Sequence, residues 1–179
     1  NMAILNIANE LGMCLDVSGG GELAMALAAK FPAERIFVHG NNKTPQELEE
    51  AISAGVGRIV VDSPEELCRI SSIAEAYDVV QDIYLRITPG VEADTHEYIK
   101  TGCEDSKFGF PLKDDRAFQA VSQALDTPNV RLMGLHCHIG SQIFKLDPFA
   151  EAAEVMVAFL DEIRERLGVT LSELDLGGG

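Results

Sequence analysis

Apolar and polar positions divide the chain into two alternating kinds of segment. Short β-branched apolar runs predict strands, and stretches with apolar residues every three or four positions predict helices. Their βαβα order is typical of a parallel sheet covered by helices. The predicted strands are Met13–Val17, Arg35–His39, Arg58–Asp62, Ile83–Thr88, Val130–His138 and Glu173–Leu176. The predicted helices are Ala3–Leu11, Glu22–Lys30, Pro45–Ala54, Pro64–Tyr77, Asp115–Leu125 and Pro148–Leu167.

Several predicted helices begin with capping residues. A hydroxyl residue followed by proline, with glutamate three positions after the hydroxyl, predicts a cap that satisfies the free N–H groups of the first turn. This pattern occurs at Thr44 and at Ser63, and Asp147 before Pro148 predicts a third cap. Glycines where the helical pattern stops predict the helix ends. These are Gly12, Gly55 and Gly168.

Composition narrows the possible functions. The chain has 179 residues, which suits one domain or part of a larger one, and a hydrophobic content of 46%, which allows a real core. Its net charge of −15 argues against a nucleic-acid partner or an anionic membrane surface. Four scattered cysteines without CxxC spacing indicate reduced thiols and a cytoplasmic location. A first residue other than Met, and three glycines directly after a strand at the other end, predict an internal fragment of a longer protein.

The segment GLHCHIGSQIF, residues 134–144, concentrates candidate chemistry at one strand end. Side chains alternate along a strand, so His136 and His138 share one face and Cys137 lies on the other. This parity argues against a His-Cys-His metal site and against Cys137 as a nucleophile activated by its neighbours. The two histidines alone remain possible ligands, but no third and fourth ligand follow at a familiar spacing, so no metal is expected.

Polar residues also end other predicted strands, where ligands bind in parallel α/β proteins. They are Asp16, Asp62 and Arg86. Each has a plainer explanation, since Asp62 can prepare the cap at Ser63 and Arg86 can pair with a carboxylate. The long polar segment 89–111 holds His96, Tyr98 and Phe108 and predicts a loop that faces a substrate or cofactor.

Two glycine-containing turns follow neighbouring late strands. The run Gly177–Gly179 lets successive backbone N–H groups approach a phosphate, although a plain turn explains it equally well. Gly140–Ser141 offers a second small turn with a hydroxyl donor. The pair matches the phosphate site of barrel enzymes. Ser18–Glu22 lacks the G-x-G-x-x-G spacing of dinucleotide sites, so a tight turn into a helix explains it better.

These motifs together resemble a known family. The runs LDVSGGGEL, FVHGNNKTPQEL, LRITPGVEADTHEYIKTG, DSKFGF, GLHCHIGSQIF and ELDLGGG resemble, in this order, diaminopimelate decarboxylases, which belong to the alanine-racemase-like group of pyridoxal-phosphate enzymes. The resemblance covers essentially the whole chain. It implies the fold class α/β, as a partial (β/α)8 TIM-type barrel with about strands two to seven. Residues 1–179 would form one incomplete pyridoxal-phosphate-binding domain, without the first and last strands and the C-terminal β-domain.

The resemblance also implies a cofactor, pyridoxal 5′-phosphate, and the residues around it. His138 matches the histidine that stacks on the pyridine ring, and Ser141 with Gly177, Gly178 and Gly179 matches the phosphate-binding turns. Asp16 and Arg86 match polar residues near the cofactor-binding lysine. That Schiff-base lysine would lie before Asn1, so the catalytic residues are unknown within this chain. The family usually has Ser or Thr at the position of Gly19.

The implied activity of the parent protein is decarboxylation of meso-2,6-diaminopimelate to L-lysine, in lysine biosynthesis. The 179-residue chain alone is expected to show no turnover. A related decarboxylase of ornithine, arginine or carboxynorspermidine, and a non-catalytic pyridoxal-phosphate-binding homologue, are the alternatives. The expected partners are an amino-acid substrate and, because family members are generally dimers, a second copy of the full-length protein; neither a nucleic acid nor a membrane is expected.

Overall fold

The computed structural model describes residues 2–91 and 108–178. Its elements follow the predicted order closely. The helices are α1 (Met2–Glu10), α2 (Gly20–Ala28), α3 (Pro45–Ala54), α4 (Pro64–Ala76), α5 (Arg116–Asp126) and α6 (Asp147–Leu167). The strands are β1 (Leu15–Val17), β2 (Ile36–Val38), β3 (Arg58–Val61), β4 (Gln81–Thr88), β5 (Phe110–Pro111), β6 (Val130–His138) and β7 (Glu173–Gly177). Short 3-10 turns occupy Ala33–Arg35 and Lys113–Asp115.

The strands form a parallel sheet, as predicted. Their order is β1-β2-β3-β4-β6-β7, with β5 beside β4. Apart from β5, spatial order follows chain order, as successive strands do in a β/α barrel. Backbone contacts group the chain into two units, of which the first takes Asn1–Tyr84 with Thr127–Arg131 and the second takes Leu85–Asp126 with Leu132–Gly179. The assignment of residues 1–179 to one domain stays a prediction.

Each unit has its own apolar core, made where helices cover strands. In the first unit Ile36 and Ile59 from the strands and Leu48 and Leu67 from the helices are fully buried. In the second unit the large fully buried residues of the described chain include Leu85, Ile87, Leu135, Met156 and Ile163. The helical and strand periodicities read from the sequence therefore correspond to the buried faces of these elements.

Charged groups at the amino-terminal ends of three strands are paired with one another in the first unit. The Asp82 carboxylate accepts hydrogen bonds from Arg58 at 3.0 Å and from two nitrogens of Arg131 at 2.6 and 3.0 Å. The Arg58 guanidinium also lies 6.0 Å from the ring centre of Phe37 and 5.8 Å from that of Tyr84, and the two rings meet edge to face. These charges serve the fold, as is usual at the amino-terminal face of such sheets.

The predicted helix caps have three different outcomes. At α3 the capping box is confirmed, because Thr44 Oγ1 accepts the Glu47 N–H at 3.2 Å and the Glu47 carboxylate accepts the Thr44 N–H at 2.9 Å. At α4, Ser63 accepts the Glu66 N–H, but the Glu66 carboxylate accepts the N–H of Asp62. At α6 the prediction was wrong, since Leu146 precedes the helix and Asp147 is its first residue. A carboxylate is also favourable in the first turn, beside the helix dipole.

Smaller differences from the sequence prediction concern strand and helix limits. Gly55 and Gly168 end α3 and α6 in the left-handed conformation, as predicted. Arg35 belongs to a 3-10 turn and not to a strand, and α2 begins at Gly20, two residues earlier than expected. The two-residue strand β5 was not predicted. Of the proposed loop residues, His96 and Tyr98 lie outside the described part of the chain.

A buried ion pair holds the segment after β2 against α4 in the first unit. Lys43 and Glu66 are 5% and 4% exposed, and their charged atoms lie 3.0 Å apart. The Lys43 ammonium also donates to the carbonyls of Gly40 and Val60, at 2.5 and 2.7 Å. Burial raises the pKa of Glu66, and the positive charge of Lys43 opposes that rise. Lys43 therefore favours the ionised form of the Glu66 carboxylate.

Among the described residues, no helix combines the length and the apolar character that crossing a bilayer requires.

The N-cap of α2 provides a first prediction. Gly19 has an extended backbone (φ −172°) and makes no side-chain cap. A Cβ atom there would have room, since its nearest neighbour would be Glu47 Oε1 at 3.9 Å. Gly19→Ser therefore adds a cap without strain and should raise the free energy of unfolding by about 0.5–1 kcal/mol. Urea denaturation of the complete protein measures this. Gly55→Ser is the matched control, because Gly55 has φ +73° and serine there should cost about 1 kcal/mol. A loss of stability in Gly19→Ser would contradict the cap geometry.

The buried ion pair provides a second prediction. Lys43→Met leaves the Glu66 carboxylate buried without a counter-charge and should cost about 3 kcal/mol at neutral pH. The pKa of Glu66 then rises further above its ordinary 4.5, so the folded state holds a proton that the unfolded state releases. The loss of stability should therefore grow as pH increases above about 4.5. Denaturation curves across this pH range measure it.

The control is Lys43→Met combined with Glu66→Gln, which keeps an acceptor for the Asp62 N–H. This double variant should recover part of the lost stability at neutral pH and lose the additional pH dependence. If Lys43→Met alone lost the same free energy of unfolding at every pH, Glu66 would not be charged in the native fold.

Candidate functional site

The residues predicted to bind a ligand at the late strands lie side by side in the second unit. β6 and β7 pair in parallel, with His136 opposite Asp175 and His138 opposite Gly177. Because parallel strands end at the same edge, the two carboxyl-terminal turns begin at the same level. The sequence predicted that these two turns follow neighbouring strands, and the direct pairing of β6 with β7 confirms it.

Gly177 occupies a position where a side chain would press on its neighbours. A Cβ atom there would lie 3.1 Å from His138 Nδ1 and 3.2 Å from His136 Nε2. Both imidazoles therefore lie on the same side of the strand pair, which confirms the predicted parity. His138 is exposed, whereas His136 is only 3% exposed. The exposed ring can contact a ligand, and the buried ring lies beneath it in the strand.

The two glycine turns touch each other. Gly178 has φ +123°, and a Cβ on it would lie 2.9 Å from the Gly140 carbonyl oxygen. Gly140 itself has φ +131°, and the exposed Ser141 follows it. The absence of side chains at Gly140 and Gly178 leaves a small cradle of backbone beside a hydroxyl group, which suits a phosphate. Gly179, the last residue of the predicted phosphate turn, lies outside the described residues.

Arg86 lies on the carboxyl-terminal part of β4, also in the second unit. Its guanidinium is 4.9 Å from the ring centre of Phe108, a cation–π contact. The Thr88 hydroxyl donates to the Phe108 carbonyl at 2.7 Å, and β5 pairs with β4 directly afterwards. Phe108 is thus anchored to the end of β4. A role for Arg86 near the cofactor stays a prediction.

Asp16 lies in the first unit and has an aromatic neighbour that the sequence analysis missed. It stands in β1, and its Oδ1 is 3.2 Å from Nε2 of His39, directly after β2. The His39 N–H donates to the Val17 carbonyl at 2.7 Å, which continues the β1–β2 pairing. His39 ends the predicted strand Arg35–His39 and directly follows β2, so the same attention to polar strand ends could have identified it.

The structure supports the separation of Cys137 from the site chemistry. Cys137 is buried, and burial together with the negative charge of Asp175 raises the pKa of its thiol to about 11. A thiol with that pKa carries very little thiolate at neutral pH, and the thiolate is the form that attacks substrates or binds metals. Cys137 therefore contributes apolar packing in this environment.

Comparison with known proteins agrees with this site. The family described as "Pyridoxal-dependent decarboxylase, pyridoxal binding domain" matches residues 1–179. Diaminopimelate decarboxylase from Bacillus subtilis is 48% identical over 179 residues, which are 100% of this chain and 41% of that protein. The enzyme from Mycobacterium tuberculosis is 49% identical over 175 residues, 96% of this chain and 39% of that protein.

Solved structures give the same result. A crystal structure of diaminopimelate decarboxylase from M. jannaschii in complex with L-lysine has a TM-score of 0.89 and 36% identity, covering 100% of this chain and 41% of that one. The Helicobacter pylori enzyme with L-lysine has a TM-score of 0.84 and 32% identity, with 97% and 43% coverage. These similarities confirm the predicted fold class, a partial (β/α)8 TIM-type barrel. The chain spans about two fifths of the length of these relatives. It belongs to the pyridoxal-dependent decarboxylase family, whose pyridoxal-binding-domain model matches it from residue 1 to residue 179.

Proposed function

We propose that the complete protein containing this chain is a pyridoxal-phosphate-dependent decarboxylase that converts meso-2,6-diaminopimelate to L-lysine. The observation that carries the proposal is the in-register pairing of His138 with Gly177, with Gly178 against Gly140. This pairing supplies one exposed imidazole and one side-chain-free cradle next to each other. A phosphorylated aromatic cofactor has the same two parts, a flat ring and a dianionic phosphate.

The proposed roles follow from the chemistry of each group. His138 packs against the pyridine ring and fixes its plane. The Ser141 hydroxyl and the backbone N–H groups of the Gly177–Gly179 turn donate to the phosphate, and hydrogen bonds to a charged acceptor are stronger than neutral ones. Asp16 and Arg86 stay predicted site residues, because by resemblance they match polar residues near the cofactor-binding lysine. When bound, the cofactor supplies the electron sink that carbanion chemistry at an amino acid requires, and the protein supplies orientation and electrostatics.

The relatives support the choice of substrate. Those compared above are diaminopimelate decarboxylases, and two of the solved structures contain L-lysine. L-lysine is what remains when carbon dioxide leaves meso-diaminopimelate. The cytoplasmic location and the homodimer stay predictions.

The test is a substrate panel with the complete protein and added pyridoxal phosphate. We expect carbon dioxide release and L-lysine formation from meso-diaminopimelate, and far slower release from L-ornithine, L-arginine and carboxynorspermidine. Ser141→Ala should weaken pyridoxal-phosphate binding by about ten-fold, because one hydrogen bond to a charged group is lost. Equilibrium dialysis measures the dissociation constant.

Ser53→Ala, which changes an exposed serine on α3, is the matched control and should bind the cofactor as the wild type does. Preferred turnover of another amine would reassign the substrate. Failure of the complete protein to bind pyridoxal phosphate would contradict the proposed function as a whole.

A further inference from the structure

Among the described residues of the second unit, His136 is a buried polar residue to which the proposed function gives no task. It lies two residues before His138 on the same face of β6, and it is 3% exposed. Burying an imidazole costs more than burying a leucine of similar volume, unless the ring has polar neighbours. The burial of His136 therefore has a free-energy cost, and this residue lies next to the exposed His138 ring on the same face of β6.

Asp175 is the charged neighbour of His136. The two residues are register partners across β6 and β7, and a ring nitrogen of His136 lies within 4.8 Å of a carboxylate oxygen of Asp175. Asp175 is half-buried, and its negative charge also acts on Cys137. A carboxylate beside an imidazole restrains the orientation of the ring, as it does for histidines in metal and catalytic sites.

Gly177 connects the buried ring to the exposed one. The position of its absent Cβ is 3.2 Å from His136 Nε2 and 3.1 Å from His138 Nδ1. The two imidazoles thus border the same small space above the Gly177 backbone. Gly177 has no left-handed backbone conformation to require glycine, unlike Gly178 at φ +123°. The requirement at Gly177 comes from the two rings together with the Cys137 carbonyl oxygen, which lies 3.2 Å from the same position. A shift of either ring changes the space available to the other.

We propose that His136 is a positioning residue of the cofactor site: with Asp175 beside it, the buried ring fixes the Gly177 backbone and, across Gly177, the height and tilt of the His138 ring. The inference rests on the proposed function, because the ring that is positioned is the one expected to contact the cofactor. It differs from the plainer interpretation, a core histidine that only fills volume, by predicting changes at the cofactor.

The first test compares two buried neighbours on opposite faces of β6 in the complete protein. His136→Leu should raise the dissociation constant for pyridoxal phosphate about ten-fold or more and change the visible circular dichroism of the bound cofactor, since displacement of a positioning group by about 1 Å has large effects. Asp175→Asn should act in the same direction. Cys137→Ala, the control, removes a buried side chain on the other face and should leave both readouts unchanged. His136→Asn replaces His136→Leu if leucine prevents folding.

The second test is a double-mutant comparison of two adjacent glycines. Gly177→Ala should weaken pyridoxal-phosphate binding, and combining it with His136→Ser removes one of the three close contacts of the new methyl group, those to His136, His138 and the Cys137 carbonyl. If the two substitutions acted independently, their fold-losses in affinity would multiply. Because the two positions are in contact, the double variant should bind pyridoxal phosphate at least about five-fold more tightly than that product. Gly178→Ala is the control, because its methyl group meets the Gly140 carbonyl, and it should show no such coupling to His136→Ser.

The outcomes separate the two proposals. A wild-type protein that does not bind pyridoxal phosphate overturns the proposed function. A wild-type protein that binds it, with His136→Leu matching Cys137→Ala in both affinity and circular dichroism, overturns the positioning role alone. Equal coupling of His136 to Gly177 and to Gly178 also overturns it.

Discussion

The parallel pairing of β6 with β7 is the interaction on which the site depends. Its register places His138 opposite Gly177 and His136 opposite Asp175. A shift by one residue would turn every side chain of one strand to the other face. Cys137 would then replace the histidines on the ligand side. Leu135, which is fully buried on the Cys137 face of the strand, opposes such a shift.

That register explains why successive glycines differ in their requirements. Gly177 leaves room for two imidazole rings, whereas Gly178 combines a left-handed backbone with a close approach to the Gly140 carbonyl. Only the requirement for glycine at position 178 is a property of backbone conformation. A turn that looks uniform in sequence therefore has two separate constraints, one for the ring and one for the phosphate cradle.

Local sequence patterns predicted the elements but not the contacts between strand ends. Periodicity and glycine punctuation identified the six helices and six of the seven described strands, and strand parity placed the histidines on one face. The cap at Asp147 failed because the same residue is equally favourable inside the first turn. The strand β5 was not predicted, because two residues are too few to show an alternating pattern. The neighbour of Asp16, His39, directly follows β2, and the neighbour of His136, Asp175, lies in β7, so only the pairing of the strands brings them together.

The central claim is that the ends of β6 and β7 together hold the cofactor. The most direct measurement is a crystal structure of the complete protein with pyridoxal phosphate bound. The account predicts the phosphate against the turns at Gly140–Ser141 and Gly177–Gly178, with the pyridine ring against His138. A phosphate bound at the ends of other strands, with His138 away from the ring, would contradict it.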